Sequence, residues 1–389
     1  MNSRPALLTM LGSLAVTALA TMSAVAAVPP SADPAAPIVT APLLADTDGD
    51  SLPDIWETNG YDANGDGTID VDLPAMGATP TKKDLFVEMD YMAGRLTSIA
   101  AMDRIVEVFA TAPVSNPDGT TGIRLHLDAG PAGGSAYNLG GGNEVPYDDD
   151  LQPVHTQTTA IRDANFAKSR RAVFYYMLWA DSYNGGCSSG LEFGIPGDTF
   201  IVTVGPKCGY AGTDNQEVGT FMHEFGHALG LHHGGADGTN FKPNYLSVMN
   251  YYFQFRGVQK TDGTTYWGYS NVVPPALDEK NLNEAEGLGS SASGFKTTWW
   301  CPDGTIRSTT GAASLPIDWN CDGDATDVTM SDINRDNAKK TLTAQNDWAN
   351  LVFGGGAVGQ GPNVQTETDP AELQEMTLSE YLELQRNHR

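Results

Sequence analysis

Positive charge is scarce in this sequence. Its 389 residues carry 22 Lys and Arg against 48 Asp and Glu, a formal charge of −26 at pH 7. A chain this acidic lacks the basic face that phosphate contacts need, which argues against a nucleic-acid binder and against anionic membrane surfaces. Beyond the first 27 residues no apolar run is long enough to span a bilayer. Nothing resembles a phosphate loop, a Ser-His-Asp elbow or a dinucleotide fingerprint, and no solenoid period repeats. Cysteine is sparse: Cys187, Cys208, Cys301 and Cys321, none in a CxxC pair. That spacing disfavours a four-thiolate zinc site. What is present is 40% hydrophobic residues, ample for a core in one large domain or two ordinary ones. The acid excess suits a protein that binds cations.

The first residues fit export. Arg4 gives a positive start, Ala6 to Val25 is mostly apolar without charge, and Ala24-Val25-Ala26 offers a small-x-small cleavage site. Residues 1–27 therefore read as a signal peptide, with the mature chain starting near Ala27 or Val28. A membrane anchor is the alternative, but many Ala, Ser and Thr residues would make it a weak one. The expected product is secreted (extracellular), with no membrane span after signal cleavage. In that compartment four cysteines read as two disulfides. Of three pairings the local one, Cys187 with Cys208 and Cys301 with Cys321, closes two short loops and is favoured.

Residues 28–45, rich in Pro and Ala, read as a linker, and 46–80 as acidic, Gly-punctuated loops. Residues 81–260 form the globular part. The spacing predicts strands over 84–92, 123–130, 172–181 and 199–205 and helices over 98–112 and 213–230. Strands alternating with two long helices give an α+β fold with an α/β layered arrangement. Residues 261–361 are loop-rich, and 362–389 form an acidic tail with a short helix from Leu373 to Arg386.

Four of the seven histidines fall within eleven residues, in HEFGHALGLHH (223–233). On a helix, His223 and His227 are four apart and project from one face, where both can reach a single Zn²⁺. Glu224 is offset around the helix, toward a water on the metal. Gly230 lets the chain leave in a sharp turn that returns His233 as third ligand, in preference to the adjacent His232. Three imidazoles and a water make the open geometry of a catalytic zinc site, with Glu224 as general base. A HExxH string can arise by chance; the continuation to HExxHxxGxxH on a helix makes the metal reading the stronger.

His223, Glu224, His227, Gly230 and His233 resemble the extended zinc signature of the metzincin metalloproteases, and HEFGHALGL is similar to matrixin-type members. The resemblance implies a twisted, mostly parallel sheet with two long helices and a loop-rich C-terminal subdomain. It also implies a Met-turn, for which Ser247-Val248-Met249-Asn250-Tyr251 is the match. Met249 would form the apolar floor beneath the metal. Tyr251 would be the switch tyrosine of astacin- and serralysin-like members; a core aromatic is the plainer reading of YYFQF. The specific letters lie only in 223–251. No segment resembles the pro-domain usual in that clan, and Pro206-Lys207-Cys208-Gly209, although similar to an inhibitory cysteine motif, lies inside the globular part. How latency is enforced is left open.

Two acidic segments place oxygens at cation spacing: Asp46, Asp48, Asp50 and Asp54, followed by Glu57, and then Asp62, Asn64, Asp66 and Asp70. They resemble thrombospondin type 3, dockerin-like and EF-hand loops, although Leu73 stands where an EF-hand needs a bidentate acid. A third candidate is Asp318, Asn320 and Asp322, with Asp332-x-Asn334-x-Asp336 beyond it. Packed carboxylates repel unless a hard cation sits among them, so structural Ca²⁺ is expected beside catalytic Zn²⁺; the plainer alternative is a solvated turn. The whole reads as a monomeric zinc metalloendopeptidase acting on peptide or protein substrates. The alternative is a calcium-dependent binding or adhesion protein on an inactive metzincin scaffold, against which the intact Glu224 argues. A zinc hydrolase with a distant carboxylate as third ligand is a further alternative, made unnecessary by His233.

Overall fold

Apolar runs build the centre of the molecule. The computed structural model describes residues 44–360 and 375–388. The candidate signal peptide, the linker up to residue 43 and the first two residues of the expected tail helix lie outside them. Strand β1 (Asp84–Met92) is buried along its whole length, as expected of a strand covered on both faces. It pairs in parallel with β2 (Arg124–Asp128), with the short β3 (Glu144–Val145) and with β4 (Phe174–Trp179). Beyond β4 lie the antiparallel edge strand β5 (Gly190–Glu192) and, between them, β6 (Thr199–Val202), giving the order β2-β1-β4-β6-β5.

The period of two divides each strand between two cores. Val87 and Met89 of β1 with Tyr175, Met177 and Trp179 of β4 face α3 (Ile99–Ala110) and α5 (Asp214–Ala228). Phe86 with Phe174, Tyr176 and Leu178 faces the other way. That side is covered by α1 (Asp54–Asn59), α2 (Leu73–Met76) and α4 (Val154–Asn165). Buried charge on the sheet is neutralised within it, Arg170 bonding both Glu88 and Asp128.

A third core, around Leu246, Tyr252, Trp299, Trp300 and Trp319, supports the loop-rich residues after the turn at 247–251. Among the described residues only two- and three-residue strand pairs occur there. Disulfides join Cys187 to Cys208 and Cys301 to Cys321, the local pairing. The tail helix α6 (Leu378–Asn387) starts five residues later than the spacing suggested, because Thr377 and Glu380 form a capping box. No helix among the described residues is long and apolar enough to cross a membrane.

Candidate metal centre

Helix α5 carries the site. A capping box fixes its start, Thr213 N donating to Gln216 Oε1 and Gln216 N to Thr213 Oγ1. Past its last turn Gly230 adopts φ +85°, a left-handed conformation that disfavours any side chain. The chain doubles back, and His233 joins His223 and His227 in one buried group. His232 is half-buried and lies outside that group.

The Nε2 atoms of His223 and His233 each stand 3.3 Å from that of His227. The opposite nitrogens face backbone carbonyls: His223 Nδ1 lies 3.0 Å from Val248 O, and His227 Nδ1 2.7 Å from Leu231 O. A carbonyl only accepts, so both Nδ1 atoms carry the proton and both Nε2 atoms present bare lone pairs. Lone pairs aimed at one another in a dry site need an electrophile among them. Nitrogen donors at about 2.0–2.1 Å from a tetrahedral metal stand about 3.3–3.4 Å apart, which matches the spacing found. Burial, opposed by Glu375, lowers the His227 pKa to about 4, leaving the neutral ring that ligation requires. The donor set fits a divalent metal ion.

A fourth member comes from far along the chain. Glu375 Oε2 lies 2.8 Å from His223 Nε2, and its Oε1 lies 3.3 Å from His227 Nε2 and 3.4 Å from His233 Nε2. Tyr251 Oη donates to Glu375 Oε2 at 3.3 Å, and the Tyr251 ring centre stands 4.8 Å from that of His233. A cavity of about 470 Å³ opens beside this group, bordered by Tyr183, His233, Phe241, Tyr251 and Glu375.

Glu224 is fully buried, and neither carboxylate oxygen has a hydrogen-bond partner among the described residues. It packs on β5, where a Cβ at Gly190 would fall 2.4 Å from its Oε1. Burial first, then the charge of Glu375, drive its pKa well above the usual range. Met249 is buried against Gly226, on the helix between the first two histidines. Asn250 pins this turn by donating to Lys242 O (2.8 Å) and Tyr245 O (3.0 Å).

The acidic segments divide. Oxygens of Asp46, Asp48 and Asp50 lie within 4.8 Å of one another, as do those of Asp50, Glu57 and Asp84. Glu57 is 2% exposed and both its carboxylate oxygens lack a partner. Burial, then neighbouring carboxylates, push Glu57 up to about 9 and Asp50 up to about 8. Asp54 instead accepts from Thr47 N and Oγ1, both at 2.7 Å. In the second loop Asp62, Asn64, Asp66 and Asp70 accept from the loop's own amides. Asp318 and Asn320 do likewise for Asp322 N, and Asp318 for Gly323 N. The acids that gather near the third candidate are Glu279, Asp332 and Asp336.

The sequence reading missed Glu375 and Asp84. Asp84 opens a buried strand and carried no loop signature. For Glu375 one local sign was available: Thr377-x-x-Glu380 marks a helix start, which leaves Glu375 in extended chain rather than on a solvated helix face. No family model, curated protein or solved structure matches this chain.

Proposed function

We propose that this chain is a secreted zinc endopeptidase of the metzincin type. The observation that supports it is the convergence of three imidazole nitrogens, those of His223 and His233 each 3.3 Å from that of His227, beside the buried, unpartnered Glu224. The letters HExxHxxGxxH (223–233) and SVMNY (247–251) supply the family. His223, His227 and His233 would hold the ion, with Val248 O and Leu231 O fixing the first two rings. Zinc bound there would polarise the scissile carbonyl and acidify a water. Glu224 takes the proton of the attacking water and hands it to the leaving amine nitrogen. The Tyr251 hydroxyl donates to the carbonyl oxygen as negative charge grows on it. Met249 gives the imidazoles an apolar floor.

The same proposal takes 81–260 as the catalytic domain and 46–80 and 261–361 as supporting parts. Asp46, Asp48, Asp50 and Glu57, with Asp84 from β1, are read as a structural calcium site. The unpartnered Glu57 supports it, because a buried carboxyl with no hydrogen-bond partner is costly. For Asp62–Asp70 and Asp318–Asp322, calcium is proposed from their spacing alone.

One observation favours the competing reading, a binding protein with a closed metal site: four protein donors are the signature of structural zinc, and Glu375 is a fourth. Glu224→Ala discriminates. We expect it to keep one zinc per chain and lose peptide cleavage by at least about a thousandfold. Cleavage at the wild-type rate would remove Glu224 as the base.

A further inference from the structure

We propose that the C-terminal segment from Glu375 to His388 is a built-in occupant of the metal centre: Glu375 fills the fourth ligand position, and the strap it belongs to holds the cleft closed until it is displaced. The inference rests on the endopeptidase reading above and supplies the latency that the sequence left open.

Three observations converge. Glu375 Oε2 stands 2.8 Å from His223 Nε2, and its Oε1 3.3 and 3.4 Å from the Nε2 atoms of His227 and His233, so the carboxylate faces all three nitrogens at once. It thus sits where a catalytic site must admit water or a substrate carbonyl. The backbone around it lies beside the edge of the sheet as an extended peptide would. Thr377 bridges Ser188 antiparallel. Ser189 N donates to Met376 O at 3.0 Å, and Leu378 N to Cys187 O at 3.1 Å. Ser188 Oγ adds a bond to Glu375 O at 3.2 Å. These are the groups, next to β5, that an incoming chain would need.

The strap is held firmly at one end and lightly at the other. Glu375 and Met376 are buried, whereas no residue of α6 is. A cavity of about 380 Å³, bordered by Tyr252, Phe255, Arg256, Leu384 and His388, lies beneath that helix. Half-buried Leu378, Tyr381 and Leu384 rest on the core, the Tyr381 ring centre 4.8 Å from that of Phe255, and polar contacts complete the hold: Arg335 to Glu383 at 3.0 Å and Ser308 Oγ to His388 Nε2 at 2.8 Å. A helix seated this way can lift without disturbing the sheet. Its release exchanges a carboxylate for water and breaks no covalent bond.

The test uses the full-length zinc-loaded chain with Glu375→Gln and, separately, Leu384→Asp, which unseats α6 without touching a ligand. Three quantities are read: hydrolysis of a quenched-fluorescent peptide pool, hydrogen exchange at the Ser189 and Leu378 amides, and zinc loss to a competing chelator. Both variants should raise hydrolysis by about tenfold or more and strip protection from both amides. Glu375→Gln should also release zinc about 10–100-fold faster. Equal cleavage by all three proteins would overturn the strap and leave the endopeptidase standing. If none cleaves peptides while the amides are still freed, occupancy stands and the endopeptidase reading falls. Unchanged amide protection in both variants overturns the strap outright.

Discussion

At the scale of single residues, Asp347 couples the fold to pH. Its carboxylate is fully buried and accepts from Tyr245 Oη at 2.8 Å and Ser270 N at 2.9 Å. Burial pushes its pKa from 3.8 up to about 6, the hydrogen bonds recovering only part of the shift. A group that binds its proton more tightly folded than unfolded stabilises most below its ordinary pKa. That contribution drains away as pH rises through about 6. Roughly two pKa units correspond to roughly 3 kcal/mol. Asp347→Asn should therefore lose less stability than wild type between about pH 4 and pH 7; urea melts across that range would show parallel curves if Asp347 were an ordinary surface acid. The residues of the candidate metal cluster differ in how far they could be read ahead. His223, Glu224, His227 and His233 are set by one helical repeat and one glycine turn, so their spacing is visible in the letters. Glu375 lies 142 residues from His233, and a contact across that separation leaves no periodic trace.

At the scale of elements, helix and turn are matched through Gly226. A Cβ there would fall 2.3 Å from Met249 Sδ and 2.9 Å from Tyr269 Cε1, and both neighbours are fully buried. Gly226→Ala gains about 1 kcal/mol of helix propensity but overpacks a closed site at a cost of about 1–3 kcal/mol. With two buried neighbours to move, the cost should win. The variant should melt lower and bind zinc more weakly, because Met249 must leave its contact with the helix between His223 and His227; a higher melting temperature with unchanged zinc affinity would refute the fit. Strands at 84–92 and 172–181 were legible because burial on both faces writes an unbroken apolar run. Helix α4 (VHTQTTAIRDAN) was not, since only Val154 and Thr158 are buried and no stripe forms. Three-residue β5, with a glycine in it, is too short to leave a pattern.

At the scale of the whole molecule, a charge of −26 sets a standing demand for cations. Removing calcium with a selective chelator should lower the melting temperature by about 5 °C or more while zinc content holds. Glu57→Gln should abolish that response and be no less stable than wild type in chelator, because without the cation a carboxyl whose pKa is pushed up to about 9 is already protonated and the amide replaces it at equal charge. A calcium-dependent shift that survives in Glu57→Gln would move the site elsewhere.

The covalent wiring has its own consequence. One cross-link spans 21 positions and the other 20, and neither reaches over the stretch between Cys208 and Cys301. A single backbone cut in that stretch would leave two pieces that co-migrate under native conditions, gripped by shared apolar packing. On a denaturing gel they would part with no reductant added. The topology is that of two small closed rings on one open thread, and an intact band on that gel certifies the thread.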